Sequence, residues 1–316
     1  MTYAVTIDDV HAAAARVKGI VHRTPVITCQ TLDQASGYKL FIKCENLQRV
    51  GAFKYRGATN AVRSLPDELA QRGVCTHSSG NHAQALALAA RERGIPAWIV
   101  MPTSAPEVKR RAVEGYGATI VPCEPNLVAR ETTAASVIAD TGSTLIHPYD
   151  DPRIIAGQGT AALELLEEVD ELDALVAPVG GGGLMSGSCI TMHAMSSATK
   201  LIGAEPVGAD DAARSLEAGD LIPQEGPDTI CDGLLTSLGE LTWPILRDHL
   251  ESIVTVDDAS VVTAMRLLWE RAKTVVEPSG ATPLAAVMSN GFPLPAGSRV
   301  GLILSGGNVD LDRLPW

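Results

Sequence analysis

Ala174-Leu175-Val176-Ala177-Pro178-Val179-Gly180-Gly181-Gly182-Gly183-Leu184-Met185-Ser186-Gly187 is the stretch on which the fold turns. A short apolar run passes directly into four glycines and then into a helix-compatible sequence. An apolar run without polar alternation suits a strand covered on both faces, as in a parallel sheet flanked by helices. Glycines let backbone N–H groups crowd together at the start of the next helix, where they can surround a phosphate. Leu184 to Gly187 break the G-x-G-x-x-G register, and no Gly-Lys-Ser/Thr follows, so a Walker loop is excluded. Taken alone, the loop also reads as a tight structural turn.

The same rhythm extends in both directions. Apolar, β-branched runs at Leu40–Lys43, Ala97–Met101, Thr119–Val121, Ala174–Val179, Leu201–Ala204, Ile253–Val256 and Val300–Leu304 predict strands. Helical candidates lie between them at Asn81–Arg93, Ala105–Glu114, Asn126–Thr141 and Gly157–Val169. This alternation predicts an α/β fold of parallel sheets with crossover helices. Thr6 and Asp9 form a capping-box pattern ahead of an apolar face of Val10, Ala13, Val17 and Ile20. Compact alternating units fill the middle of the chain. They predict a small domain, residues 76–147, inserted into a large one formed by residues 1–70 and 148–316, with a cleft at the junction.

Composition narrows the function. Apolar residues make up 46% of the 316, enough for a sizeable core, and aromatics only 4%, so that core is aliphatic. A net charge of −12 argues against nucleic acid and anionic membranes as partners. Six scattered cysteines include no CxxC pair, which points to reduced thiols rather than a zinc site or disulfide framework. The first residues lack the basic-then-apolar pattern of a signal peptide, and no apolar segment reaches membrane-spanning length. The expected location is the cytoplasm.

Three further motifs carry chemistry. In Asn46-Leu47-Gln48-Arg49-Val50-Gly51-Ala52-Phe53-Lys54-Tyr55-Arg56-Gly57, Lys54 is either a solvated loop residue or a desolvated amine able to attack a carbonyl. Thr76-His77-Ser78-Ser79-Gly80-Asn81-His82 offers hydroxyls, an amide and backbone donors at a helix start, as an anion site or an ordinary cap. Leu304-Ser305-Gly306-Gly307-Asn308 ends an apolar strand, where open α/β sheets bind ligands.

In this order, Lys54, the Ser-Ser-Gly-Asn-His turn, the tetraglycine loop and the terminal Ser-Gly-Gly-Asn resemble the fold-type II pyridoxal-phosphate enzymes, and within them the serine/threonine dehydratase and serine racemase family. The similarity spans nearly the whole chain and includes Ala156-Gly157-Gln158-Gly159-Thr160 and Glu205-Pro206. It implies two open, twisted, mostly parallel sheets with flanking helices, as in tryptophan synthase beta. It also implies a large cofactor domain, a smaller mobile domain and a homodimer. Lys54 would carry pyridoxal 5'-phosphate as a Schiff base and act as the base on one ring face. Phe53 would lie against the ring, Asn81 would bond its hydroxyl, Gly180, Gly181, Gly182 and Gly183 its phosphate, and Ser305 would face its nitrogen. Ser78, Ser79, Asn81 and His82 would surround the substrate carboxylate. Ser79 matches the acid/base of serine racemases on the other face.

The resemblance further implies a Mg²⁺ or Ca²⁺ site at Glu205, the Ala209 carbonyl and Asp211. The implied reaction is loss of water from L-serine or L-threonine to give a 2-oxo acid and ammonia, with serine racemisation as an added capacity. Gln48-Arg49-Val50-Gly51 departs from the Lys-Thr pair of nucleotide-activated racemases, which argues against ATP activation. His147-Pro148-Tyr149-Asp150-Asp151-Pro152 is closer to threonine dehydratases. Arg130, after Cys123-Glu124-Pro125, is closer to racemases and to enzymes of 3-hydroxyaspartate, whose second carboxylate it would pair. A 3-hydroxyaspartate dehydratase is therefore the alternative. A nucleotide-dependent oxidoreductase or binding module lacks its fingerprint and leaves Lys54 unexplained.

Overall fold

The computed structural model describes residues 3–105 and 107–316; Met1, Thr2 and Pro106, the last inside the expected helix 105–114, lie outside the described residues. The strands in chain order are β1 (Val26–Ile27), β2 (Lys39–Lys43), β3 (Val74–His77), β4 (Ala97–Pro102), β5 (Thr119–Cys123), β6 (Thr144–Leu145), β7 (Ala174–Pro178), β8 (Lys200–Pro206), β9 (Ser252–Val256) and β10 (Arg299–Ile303). They form a six-stranded sheet, β1-β2-β10-β7-β8-β9, and a four-stranded sheet, β5-β4-β3-β6. Every pairing is parallel except that of the edge strand β1 with β2.

Each of the seven apolar runs falls within a strand or overlaps one. β7 is buried at every position, as its unbroken apolar run demands. β10 pairs with both β2 and β7, so the chain leaving β10 at Ser305 and the glycine loop leaving β7 emerge side by side. β3 lies inside the smaller sheet and runs directly into the Ser78-Ser79-Gly80 turn.

Helices cover both sheets. The first, Ile7–Val17, has the expected capping box and buries Val10, Ala13 and Val17; it stops before Ile20. The expected helix at Gly157 starts earlier, at Pro152, where Asp151 accepts from the Arg153 N–H as N-cap. Its glycines belong to the helix interior, where they permit close contact with neighbouring helices. A Cβ on Gly157 would lie 2.6 Å from the Gly57 Cα, and one on Gly187 2.3 Å from the Ile155 carbonyl oxygen. Two main aliphatic clusters fill the two faces of the larger sheet, and a third packs Tyr55, Leu86 and Ile99 under the smaller one. Among the described residues no helix is long and apolar enough to cross a membrane.

Candidate active site

The segment before Lys54 is held by backbone geometry. Val50 and Gly51 both take positive φ, 56° and 71°, which turns the chain sharply. Ala52 then bridges to Gly306, and the Phe53 N–H donates to the Ser305 carbonyl at 3.0 Å. The helix Lys54–Ser64 begins at the lysine itself. Lys54 Nζ donates to the Pro148 carbonyl at 2.8 Å and lies 5.1 Å from the Phe53 ring centre. Although it opens onto a cleft, the amine is ringed by protein atoms, and burial pushes it down to about 8. An appreciable minority of it is then neutral near physiological pH, far more than for an ordinary lysine, as carbonyl attack requires.

Across the cleft lies the turn after β3. The Ser78 hydroxyl accepts from the Gly80 N–H at 3.3 Å, and the helix Asn81–Arg93 follows. Asn81 is held at both ends of its amide: Nδ2 donates to Glu277 Oε1 (2.9 Å), and Oδ1 accepts from Asn308 Nδ2 (2.8 Å). His82 is buried, with Nε2 at 3.2 Å from the Ile146 carbonyl and Nδ1 without a partner. Burial keeps it neutral, well below the usual imidazole range. His77, His147 and Tyr149 form an edge-to-face row with centroid distances of 5.5 and 4.6 Å. His147 Nδ1 accepts from the Asp150 N–H at 2.9 Å, which assigns its proton to Nε2. Burial pushes its pKa down to about 4.

The glycine loop supplies the third wall. Gly182, at φ 86°, is the N-cap of the helix Gly183–Met195. A Cβ on Gly182 would lie 2.9 Å from Thr242 Cβ, and one on Gly180 3.1 Å from Leu234 Cα. The loop is thus pressed from behind, and side chains are excluded at these positions. The first-turn N–H groups of that helix have no acceptor within the helix, and together with its dipole they suit a phosphate.

Phe53, Lys54, Ser78, Ser79, Asn81, His82, Arg130, Gly180, Gly181, Gly182, Gly183 and Ser305 all line one cleft of about 730 Å³. A reactive amine, an anion cradle and a row of hydroxyl and amide donors thus share a space that a cofactor ring and a small substrate can fill. The residues present therefore fit a phosphorylated aldehyde cofactor.

Glu205, Ala209 and Asp211 are not part of this cleft. Glu205 lies near the carboxyl end of β8, Ala209 and Asp211 follow that strand, and all three are buried. The Glu205 carboxylate accepts from the backbone N–H groups of Ala212 (3.2 Å) and Ala213 (2.8 Å). Burial, then Asp211 beside it, pushes Glu205 up to about 9; burial pushes Asp211 up to about 6. Asp211 Oδ1 is buried without a partner. Among the described residues no three His, Cys, Asp or Glu side chains are grouped to hold a metal ion.

The cleft also holds Lys109, Asp232 and Glu277, which sequence reasoning missed, and His77, Tyr149 and Asn308, which lie in motifs it singled out but were given no role. Glu277 had a signal, a lone carboxylate inside the apolar run Val275-Val276-Glu277-Pro278-Ser279-Gly280-Ala281. It was legible only as a helix start. Lys109 and Asp232, 2.5 Å apart across the mouth, look on the sequence like ordinary surface charges.

Residues 17–306 match the family described as Pyridoxal-phosphate dependent enzyme. The chain is 52% identical over 314 residues to the beta-hydroxyaspartate dehydratase of Paracoccus denitrificans, covering 99% of each chain. It is 51% identical over 316 residues to the serine racemase of Arabidopsis thaliana, covering 99% of this chain and 96% of that one. The structure of maize serine racemase superposes with a TM-score of 0.96 at 47% identity, covering 98% of this chain and 95% of that one. The desolvated lysine, the glycine cradle and these matches over nearly the full length agree, and the chain belongs to the family of pyridoxal-phosphate dependent enzymes.

Proposed function

We propose that this enzyme removes water from a small β-hydroxy-amino acid, L-serine or L-threonine, and releases a 2-oxo acid and ammonia. The observation that carries this reading is the depressed amine of Lys54, placed in one cleft with the Ser78–His82 turn and the glycine cradle. When bound, pyridoxal phosphate supplies the electron sink that loosens the bonds at the substrate Cα. In this reading Lys54 holds the cofactor covalently, Phe53 lies against its ring, Gly180 to Gly183 take its phosphate, and Asn81 and Ser305 meet its ring hydroxyl and nitrogen.

Ser78, Ser79, Asn81 and His82 orient the substrate carboxylate with uncharged groups. Lys54 Nζ, released as substrate binds, accepts the Cα proton; its lowered proton affinity makes it available as a base near neutral pH. The Cα–H and Cβ–OH bonds break, one water leaves, and hydrolysis of the resulting enamine consumes one water. Ser79 Oγ serves the opposite face of Cα, where a returned proton gives the D-enantiomer. ATP has no role in this reading.

A second reading, 3-hydroxyaspartate as substrate, is favoured by one observation. Arg130 lines the cleft, and its buried Nε has no hydrogen-bond partner, so its guanidinium is free to take a second carboxylate. The similarity to a beta-hydroxyaspartate dehydratase supports the same reading.

In this reading a Mg²⁺ or Ca²⁺ ion is held by Glu205, the Ala209 carbonyl and Asp211, where it neutralises two buried carboxylates; the unpartnered Asp211 Oδ1 supports it. In this reading the enzyme is a homodimer and is cytoplasmic, the location being in keeping with its six unpaired cysteines. Residues 76–147, which carry the smaller sheet apart from Val74 and Cys75 of β3, form the mobile domain.

The test is oxo-acid release from L-serine, L-threonine and both 3-hydroxyaspartate diastereomers. Release from serine or threonine supports the first reading. Release confined to 3-hydroxyaspartate, and lost in Arg130→Leu, supports the second. No release from any of the four sinks both.

A further inference from the structure

Glu277 is buried at 3% exposure in the wall of the cleft, immediately before the helix Pro278–Val287. A glutamate at an N-cap can satisfy its own helix, yet this side chain makes no capping bond. Its carboxylate turns instead toward Asn81 and Asn308. Oε1 accepts from Asn81 Nδ2 at 2.9 Å, and Oε2 accepts from the Asn308 N–H at 3.0 Å. Asn308 closes the loop through its Nδ2, which donates to Asn81 Oδ1 (2.8 Å) and to the Val50 carbonyl (2.7 Å).

Two glycines make room for this network. A Cβ on Gly306 would stand 2.4 Å from Glu277 Oε1, and one on Gly51 2.5 Å from Asn308 Oδ1. The Ser-Gly-Gly-Asn motif is therefore built as much around Glu277 and Asn81 as around Ser305. A buried carboxylate is costly unless it serves a purpose. Here Oε1 takes one Asn81 Nδ2–H while Asn308 Nδ2 holds Asn81 Oδ1, which together fix which way round the amide sits and leave the second Nδ2–H outside this network.

We infer that Glu277 is a positioning residue that orients the Asn81 amide so that its remaining N–H is delivered to the cofactor ring hydroxyl. This rests on the assignment of Asn81 to that hydroxyl under the proposed function. The charged groups facing Glu277 are Asp232, from the 3-10 turn Asp232–Leu234, and Lys109, from the helix Glu107–Gly115. Burial and then Asp232 push the Glu277 carboxyl up to about 8, while Asn81, Asn308 and Lys109 oppose them. The grip on Asn81 is strongest when the carboxyl is ionised, because a protonated oxygen would face N–H donors. It therefore tightens as pH rises through that range.

The experiment titrates the visible absorbance of the wild-type holoenzyme and of Glu277→Gln between about pH 6 and 10, spanning the raised Glu277 value, and measures pyridoxal phosphate affinity by equilibrium dialysis. Lys54 carries no free amine in the holoenzyme, but its cofactor-bound nitrogen can still take up a proton, so a spectral step is assigned to Glu277 only if Glu277→Gln abolishes or shifts it. The wild type is expected to show the step and Glu277→Gln to lack it, with cofactor affinity roughly tenfold weaker, the scale of one lost charged hydrogen bond. Asn308→Ala is the second variant. It frees Asn81 Oδ1 but retains the carboxylate, so its affinity is expected to fall while the pH step persists. Superimposable pH profiles and equal affinities for wild type and Glu277→Gln would overturn the inference. Should Glu277→Gln not fold, wild-type affinity in Asn308→Ala would do so. A wild-type protein with no cofactor band overturns the proposed function as well; a normal band that ignores both variants overturns only this inference.

Discussion

The ring of Tyr149 lies where a side chain on Gly181 would have to be: a Cβ there would come within 2.2 Å of Tyr149 Cγ. The glycine loop is thus shaped by an aromatic residue that follows the carbonyl bonded to Lys54. Gly181→Ala is expected to push this ring away, costing about 1–3 kcal/mol of stability by overpacking and weakening cofactor retention. In a thermal melt and cofactor-binding series, Tyr149→Ala combined with Gly181→Ala is expected to be less damaging than the two single effects summed. Strict additivity would show that the contact does not govern the loop.

Cofactor capture has a pH dependence of the same origin. Burial lowers the Lys54 amine to about 8, so its neutral, reactive form grows as pH rises through that value instead of near the ordinary lysine range. Mixing apoenzyme with pyridoxal phosphate in a stopped-flow spectrometer is expected to give a capture rate that rises between about pH 7 and 9 and then levels off. A rate still climbing steeply at pH 10 would indicate an unperturbed lysine.

Two residues after Lys54, Arg56 anchors the same helix in a buried ion network. Its guanidinium bonds both oxygens of Glu45 and both of Glu164, each at 2.7 Å. Arg56 and Glu45 are fully buried, and Lys43 joins Glu164 at 2.7 Å. Arg56→Met leaves the Glu45 carboxylate without its counter-ion and is expected to cost about 3–5 kcal/mol in urea unfolding. A loss below about 1 kcal/mol, the scale of an exposed pair, would show that the network does not hold this helix.

The Glu205–Asp211 pair ties stability to pH. Both carboxyls have raised values in the fold, so the stability they lend is complete at acid pH. It is lost as pH climbs through about 6 for Asp211 and about 9 for Glu205. A bound divalent cation reverses this by favouring the ionised forms. Melting temperature at about pH 8, between these two values, is expected to rise by several degrees with millimolar Ca²⁺ or Mg²⁺. The rise should vanish in Asp211→Asn. A wild-type melting temperature indifferent to both cations would remove the metal from the account.

The sequence made the strands legible because buried parallel strands leave unbroken apolar runs, and β7 and β10 are of that kind. β3 escaped: Val74-Cys75-Thr76-His77 has no apolar run to read, although it delivers the Ser78 turn. The expected helix began only at Gly157, whereas it starts at Pro152, and Gly157 and Gly159 sit in its interior, where close helix contacts require them. In the site, the motifs with unusual composition were legible. Glu277, and the roles of Tyr149 and Asn308 within their motifs, were not, because their meaning lies in partners far along the chain; Asn81 and Glu277 are 196 residues apart.

The central claim is that Lys54 carries the cofactor. Borohydride reduction of the holoenzyme, followed by proteolysis and mass spectrometry, tests it directly. A pyridoxyl adduct is expected on the peptide containing Lys54 and on no other lysine, and no adduct in Lys54→Ala. An adduct on a different lysine of the wild type, or none at all, would contradict it.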